Sequence, residues 1–202
     1  MTSSSFAESR EQFMNQMAVD TLKKDRNIAS APVFWLTGLS GAGKTTLAMA
    51  FKRALLAEAI PVMVLDGDEL RAGLNADLGF SDEDRRENAR RIAHIARLAA
   101  DHGSIVIVAA ITPRAADRTL AREIVGPDYI EVYVKTSLSA CEARDPKGLY
   151  RKARDGSLQV FTGVSAVYEP PVAPDILIDT EQMTVETETR RLFDYLRQLR
   201  DS

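Results

Sequence analysis

Gly38-Leu39-Ser40-Gly41-Ala42-Gly43-Lys44-Thr45 is a complete G-x-x-x-x-G-K-[ST] segment, with a further hydroxyl at Thr46. The chemistry open to such a segment is the holding of phosphate. Glycines at 38, 41 and 43 allow backbone conformations closed to other residues and let a phosphate come close. Successive backbone N–H groups then face one concavity, at the positive end of the helix that follows. Lys44 offers a charge to β- and γ-phosphates, and the Thr45 hydroxyl is a magnesium ligand. The ligand read from these residues is ATP or GTP with Mg²⁺. The loop by itself does not separate a kinase from an ATPase or a GTPase.

Three further groups could work with it. Asp66-Gly67-Asp68 brings two carboxylates that could orient Mg²⁺ through water or take a proton from an attacking hydroxyl. Asp-Gly is also an ordinary turn pair, and which carboxylate would be the base stays open. Arg71, Arg85 and Asn88 suit an anionic acceptor. Arg85 and Asn88 stand three apart at the start of a helix and so share a face. Phe80 could stack on a base. Residues 144–154 hold five basic residues and one acid, Asp145. That cluster follows the fourth strand, where nucleotide kinases carry a mobile lid that excludes water. Arg86, Arg90, Arg91 and Arg97 alternate with acids and read as solvated. His94 and His102 lack a partner for acid–base or metal chemistry in the sequence.

Positioning these groups requires strands that end beside them. Val33–Thr37 is a short apolar run that feeds the glycine loop, and Thr45–Ala59 reads as a helix stopped by Pro61. Val62–Leu65, Ile105–Ala109, Tyr129–Val134 and Asp175–Ile178 are further strands. Ser81-Asp82-Glu83-Asp84 has a capping-box pattern and opens a helix to about Asp101, closed by Gly103. Helices follow at about Ala115–Ile124 and Val185–Leu199. Strands that alternate with helices give a parallel sheet covered on both faces. The fold class expected is α/β: a three-layer P-loop nucleoside triphosphate hydrolase/kinase fold, with a five-stranded parallel sheet and a lid. Ligands in such sheets sit at the carboxyl ends of strands, here just after residues 37, 65, 109 and 134.

The 202 residues carry 26 Lys+Arg against 29 Asp+Glu, a net charge of −3, which argues against coating nucleic acid by bulk charge. A single cysteine, Cys141, excludes an internal disulfide framework and a Cys-rich zinc site. No apolar run approaches the ~18 residues of a membrane span. The N-terminus has no secretory pattern, so a cytoplasmic location is expected. Residues 1–31 read as an arm and linker, with a helix over Phe6–Lys24, and residues 32–202 as the main domain.

In sum these residues resemble the adenylyl-sulfate kinase family. The likeness covers about residues 33–200. It rests on Gly38–Thr45, on Asp66-Gly67-Asp68 with Arg71, and on Leu78-Gly79-Phe80-Ser81 leading into Asp84-Arg85 and Asn88. It rests too on Asp145-Pro146-Lys147-Gly148-Leu149-Tyr150, and on Phe161-Thr162-Gly163 with Tyr168-Glu169-Pro170-Pro171. The loop is shared by many enzymes; the Lys-Gly-Leu-Tyr and Tyr-Glu-Pro-Pro segments are far more specific.

The resemblance implies transfer of the ATP γ-phosphoryl group to the ribose 3′-hydroxyl of adenosine 5′-phosphosulfate. On the donor side it implies the loop residues 38–46 and Arg144, with Mg²⁺ on Thr45 and, through water, on Asp66. On the acceptor side it implies Asp68, Arg71, Phe80, Arg85, Asn88, Ile111, Lys147, Leu149 and Phe161, with Phe80 and Phe161 sandwiching the adenine. Lys44, Asp66 and Asp68 would be catalytic. The lid would span about 144–165. A homodimer is implied, with an ATP sulfurylase as a further partner.

Three departures stand out. Ile111-Thr112-Pro113 replaces the usual Ile-Ser-Pro, whose serine has been regarded as a phosphorylated intermediate; Thr112 keeps a hydroxyl there, and direct in-line transfer is the simpler expectation. Val167 replaces a proline. Arg114-Ala115 replaces Tyr-Arg, leaving Arg114, Arg118 and Arg122 as candidates to cover the lost contact. The alternative reading is a kinase of the same fold with a related nucleotide-like acceptor. A GTP-binding switch is disfavoured, because the chain has no Asn-Lys-x-Asp segment.

Overall fold

The computed structural model describes residues 30–158 and 160–200. The helix expected over Phe6–Lys24 lies outside the described residues. Five strands form one fully parallel sheet: β1 (Val33–Thr37), β2 (Val62–Asp66), β3 (Ile105–Ala109), β4 (Tyr129–Lys135) and β5 (Ile176–Asp179). Their order is β2-β3-β1-β4-β5, so β1 is central and its end lies between those of β3 and β4. The covering helices are α1 (Lys44–Ala57), α2 (Gly67–Ala72), α3 (Asp82–Asp101), α4 (Ala115–Val125), α5 (Leu138–Arg144), α6 (Leu149–Arg154) and α7 (Val185–Arg200). None of the described helices is long and apolar enough to cross a membrane.

Alternation along β1 explains the three layers. Successive side chains point to opposite faces. Phe34 and Leu36 join a core with Leu47, Phe51 and Leu55 of α1 and Leu192 and Leu196 of α7. Val33 and Trp35 join the opposite core with Ile92, Ala93 and Ala96 of α3 and Ala121 and Val125 of α4. Both faces are buried, as the unbroken apolar runs of β1 and β3 require. The capping box forms as expected: Ser81 Oγ accepts the Asp84 N–H at 3.1 Å, and Asp84 Oδ2 accepts the Ser81 N–H at 3.3 Å.

Sequence pattern and structure differ in three short helices. The segment after β2, whose Asp-Gly pair also suits a turn, forms α2, with Asp66 as its N-cap accepting the Asp68 N–H at 2.9 Å. The basic cluster runs from the last residue of α5 through α6. Asp145 turns the chain between them and accepts the Tyr150 and Arg151 N–H groups, both at 3.1 Å. Arg91 and Arg97 are not merely solvated. Arg91 pairs with Asp77 at 2.7 Å and Glu87 at 2.9 Å, tying the preceding loop onto α3. Arg97 donates to the Val125 carbonyl at 2.6 Å and locks α3 to the end of α4.

One buried guanidinium joins the segments behind the strand ends. Alternation on β4 turns Glu131 toward α4, where Arg118 meets it at 3.0 Å, with side chains 5% and 12% exposed. Arg118 also donates to the Thr112 carbonyl at 3.0 Å and the Glu169 carbonyl at 2.8 Å. The carboxylate of Glu169 accepts the Ala115 N–H at 2.7 Å, capping α4 from 54 residues away. Arg118→Ala leaves Glu131 buried and unpaired. It should cost about 3–5 kcal/mol in urea unfolding, whereas the double change Arg118→Met/Glu131→Gln should cost much less.

Candidate active site

The carboxyl ends of the strands open into one cleft of about 980 Å³. The loop after β1 enters it under tight constraint. A Cβ on Gly38 would lie 2.4 Å from the Val134 carbonyl oxygen, so the neighbouring strand admits only glycine there. Gly43 has φ +103°, in the left-handed region that glycine occupies freely, and caps the first turn of α1. Ser40, Gly41, Gly43, Lys44, Thr45 and Thr46 line the cleft. Of the other expected loop residues, Ala42 is buried beneath it. Leu39 lines a separate hollow with Tyr133, Leu138 and Tyr168.

Lys44 is nearly enclosed. Its Nζ donates to the carbonyls of Gly38 at 2.9 Å and Leu39 at 2.7 Å. Burial pushes its pKa down to about 8, against the pull of Cys141, Asp68 and Asp66. The Thr45 hydroxyl donates to Asp66 Oδ2 at 2.7 Å. Asp66 Oδ1 takes the Asp68 N–H, so both oxygens of Asp66 are committed. Asp68 is 70% exposed and ion-paired with Lys147 at the mouth of the cleft. Thr45 and Asp66 are hard oxygen donors, the kind Mg²⁺ takes together with phosphate oxygens and water. Among the described residues no cluster of three or more His, Cys, Asp or Glu could hold a metal without such help.

The opposite half carries the expected acceptor residues. Arg71 donates to the carbonyls of Leu78 at 3.2 Å and Gly79 at 2.7 Å, with its guanidinium 4.6 Å from the centre of the Phe80 ring. Arg85 lies 5.8 Å from the same ring and donates to the Phe80 carbonyl at 3.0 Å and Thr162 Oγ1 at 3.1 Å. Asn88 is buried and accepts from Asn75 Nδ2 at 3.0 Å. Phe80 is exposed, while Phe161 is buried edge-on against Tyr150, ring centres 4.9 Å apart. Ile111, Leu149 and both phenylalanines line the cleft.

Thr112 borders the cleft in a left-handed conformation, φ +39°, and its hydroxyl accepts the Trp35 indole N–H at 3.0 Å. Strain of this kind gathers at functional sites. Arg114, Arg118 and Arg122 do not line the cleft. They are held by Asp82, by Glu131 and by Asp175 respectively. Of the basic cluster, Arg144 and Lys147 line it, whereas Arg151, Lys152 and Arg154 do not. Arg144 donates to Thr180 Oγ1 at 3.1 Å and to the Thr180 carbonyl at 3.2 Å. Thr180, Met183, Val185 and Glu188 complete that wall and were not among the expected residues. The signal for them is the strand-end rule, extended from the first four strands to β5.

The chain matches the family model for adenylylsulphate kinase over residues 30–179. It is 53% identical to the adenylyl-sulfate kinase of Pseudomonas aeruginosa over 165 residues, 81% of this chain and 84% of that one. It is 48% identical to that of Bacillus pumilus over 176 residues, 87% and 89% of the two chains. The solved Mycobacterium tuberculosis APS kinase CysC, in complex with AMPPNP and APS, superposes with TM-score 0.81 at 47% identity, covering 83% of this chain and 98% of that one. The hexameric APS kinase from Thiobacillus denitrificans gives TM-score 0.62 at 28% identity, over 84% of this chain and 29% of that one.

The burial of Lys44 makes a pH prediction. Its ammonium is lost from the free protein as pH rises through about 8, and a lysine holds an anion through its charged form. Triphosphate affinity, measured by calorimetry, should therefore fall above pH 8 and level off below it. A Lys44→Arg variant, charged throughout, should lack that fall.

Proposed function

The chain belongs to the adenylyl-sulfate kinase family, and from that premise we propose how its own residues carry the reaction. The reaction is ATP-dependent phosphorylation of adenosine 5′-phosphosulfate at the ribose 3′-hydroxyl, giving 3′-phosphoadenosine 5′-phosphosulfate and ADP. One observation supports the residue assignment above the others. The phosphate loop and the Arg71–Phe80–Arg85 group line opposite halves of a single cleft, so two anionic nucleotides can meet in it.

On the donor side, the loop N–H groups and Lys44 take the β- and γ-phosphates. Thr45 and Asp66 would hold Mg²⁺, which when bound neutralises charge on those phosphate oxygens. Arg144, fixed by Thr180, faces the rest of the donor. On the acceptor side, Arg71, Arg85 and Lys147 offset the charge of the phosphosulfate. Phe80 and Phe161 take the adenine, with Asn88, Ile111 and Leu149 bounding the site. Asp66 has both oxygens engaged, whereas Asp68 has only Lys147. When Lys147 turns to the anionic acceptor, Asp68 is free to accept the proton of the 3′-hydroxyl. That separates the two carboxylates: Asp66 serves the donor and Asp68 the nucleophile. Catalysis is then mostly positioning and preorganised charge.

In this reading residues 32–202 are the kinase domain, 144–165 its lid, and 1–31 an arm outside the chemistry. Homodimeric assembly, a cytoplasmic location and an ATP sulfurylase as supplier of the acceptor complete it. Release of ADP should depend on adenosine 5′-phosphosulfate and not on a panel of nucleosides and sugars. Stimulation by another acceptor alone would refute the assignment. Lys44→Ala should lower kcat by about 10²–10³-fold. Asp68→Asn should lower it by about 10²–10⁴-fold with the KM for ATP unchanged.

A further inference from the structure

Glu188 is a charged side chain that the reaction as described does not use. It stands in the first turn of α7, 3% exposed, and lines the cleft beside Arg144, Thr180, Met183 and Val185. Among the described residues its carboxylate accepts no hydrogen bond, and its backbone N–H donates to the Thr184 carbonyl at 2.9 Å. The carboxylate is not sealed in the core: among the described residues the fully buried side-chain atoms without a partner are Asn75 Oδ1, Asp117 Oδ2 and Tyr129 Oη. Glu188 instead borders the cleft with acceptor positions that a ligand's donor can take. Burial also raises its pKa, with Arg144 acting in the opposite sense.

Its place in the cleft indicates which ligand. The phosphates lie over the loop at the start of α1. A Cβ on Gly43 would fall 3.8 Å from the Thr180 methyl group, so the 180–188 wall adjoins that loop. The acceptor residues Arg71, Phe80 and Arg85 come from α2, α3 and the loop between them. The wall bearing Glu188 therefore serves the base of the donor nucleotide, an inference that rests on the donor assignment made above. Arg144 offers that base a flat cationic surface, and Met183 and Val185 offer apolar contact. Glu188 offers a purely accepting side chain.

We propose that Glu188 reads the donor base, accepting a hydrogen bond from the exocyclic amine at C6 of adenine and disfavouring purines with a carbonyl there. Hypoxanthine and guanine would turn an oxygen toward the carboxylate and leave it unpaired. One charged hydrogen bond gained or lost corresponds to discrimination of about 10- to 100-fold.

The test compares ATP with ITP, which differ in that single group. Calorimetric affinity and the kcat/KM of acceptor-dependent diphosphate release are measured for the natural protein and for Glu188→Gln and Glu188→Ala. The natural protein should prefer ATP by about 10- to 100-fold. Glu188→Gln should narrow the preference by about tenfold or more, with ITP improved, because the amide can turn its N–H toward the carbonyl. Glu188→Ala should lose affinity for ATP without lowering that for ITP. Equal use of ATP and ITP by the natural protein would overturn the proposal. So would variants that lower both nucleotides alike, which would mean that Glu188 only steadies Arg144. If neither variant folds, the ratio in the natural protein decides. Absence of any adenosine 5′-phosphosulfate-dependent turnover would overturn the kinase assignment instead, and the calorimetric ratio would still decide this one.

Discussion

Lys44 holds its ammonium against the carbonyls of Gly38 and Leu39, out of water, in a loop that only glycine can thread past Val134. The rest of the structure depends on that arrangement. Burying the charge weakens its hold on its proton, and a phosphate that replaces the two carbonyls restores it. The desolvation cost is met in folding rather than at binding, which is how a preorganised site gains its advantage. It needs a rigid surround. β1 must be central, with β3 and β4 beside it, so that the loop, the β3 end and residues 144–149 all reach one cleft. It also needs Asp66 at the end of β2, two strands from β1, to reach Thr45.

The half of the cleft proposed for the acceptor is built by a different device. No single loop forms it. Residues from 71–88, 111–113 and 147–162 are brought together and then tied from behind. Arg118 bonds to the Thr112 and Glu169 carbonyls at once, Tyr168 meets the Thr37 hydroxyl at 3.0 Å, and Glu169 caps α4. The Arg85 bond to Thr162 closes the same ring on the cleft side. The departure at 114–115 is therefore not made good by nearby arginines, because each is spent on an ion pair outside the cleft.

Much of this was legible in the sequence, and the reason is locality. The phosphate loop, the capping box of α3 and the alternation of strands and helices are read within windows of a few residues, and each forms as expected. What escaped is long-range. Arg118 looks like any helix arginine until β4 turns Glu131 toward it. The cap of α4 comes from a segment 54 residues later. Glu188 reads as one of many acids on an amphipathic helix, and only the parallel placement of β5 brings it to the cleft. The basic cluster shows the same limit: its composition announced a function, but geometry brings Arg144 and Lys147 to the cleft and leaves Arg151, Lys152 and Arg154 outside it.

The division of labour between the two halves has one chemical consequence. If both nucleotides are held together and the chain only positions them, the phosphoryl group moves once, from ATP to the 3′-oxygen. The Thr112 hydroxyl, engaged with Trp35, then takes no covalent part. The stereochemistry at phosphorus is the most direct measurement of this, using ATP made chiral at its γ-phosphoryl group with adenosine 5′-phosphosulfate as acceptor. A single displacement in the cleft predicts inversion of configuration in the product. Retention would mean two displacements through a phosphorylated side chain, and would contradict the direct transfer on which these roles rest.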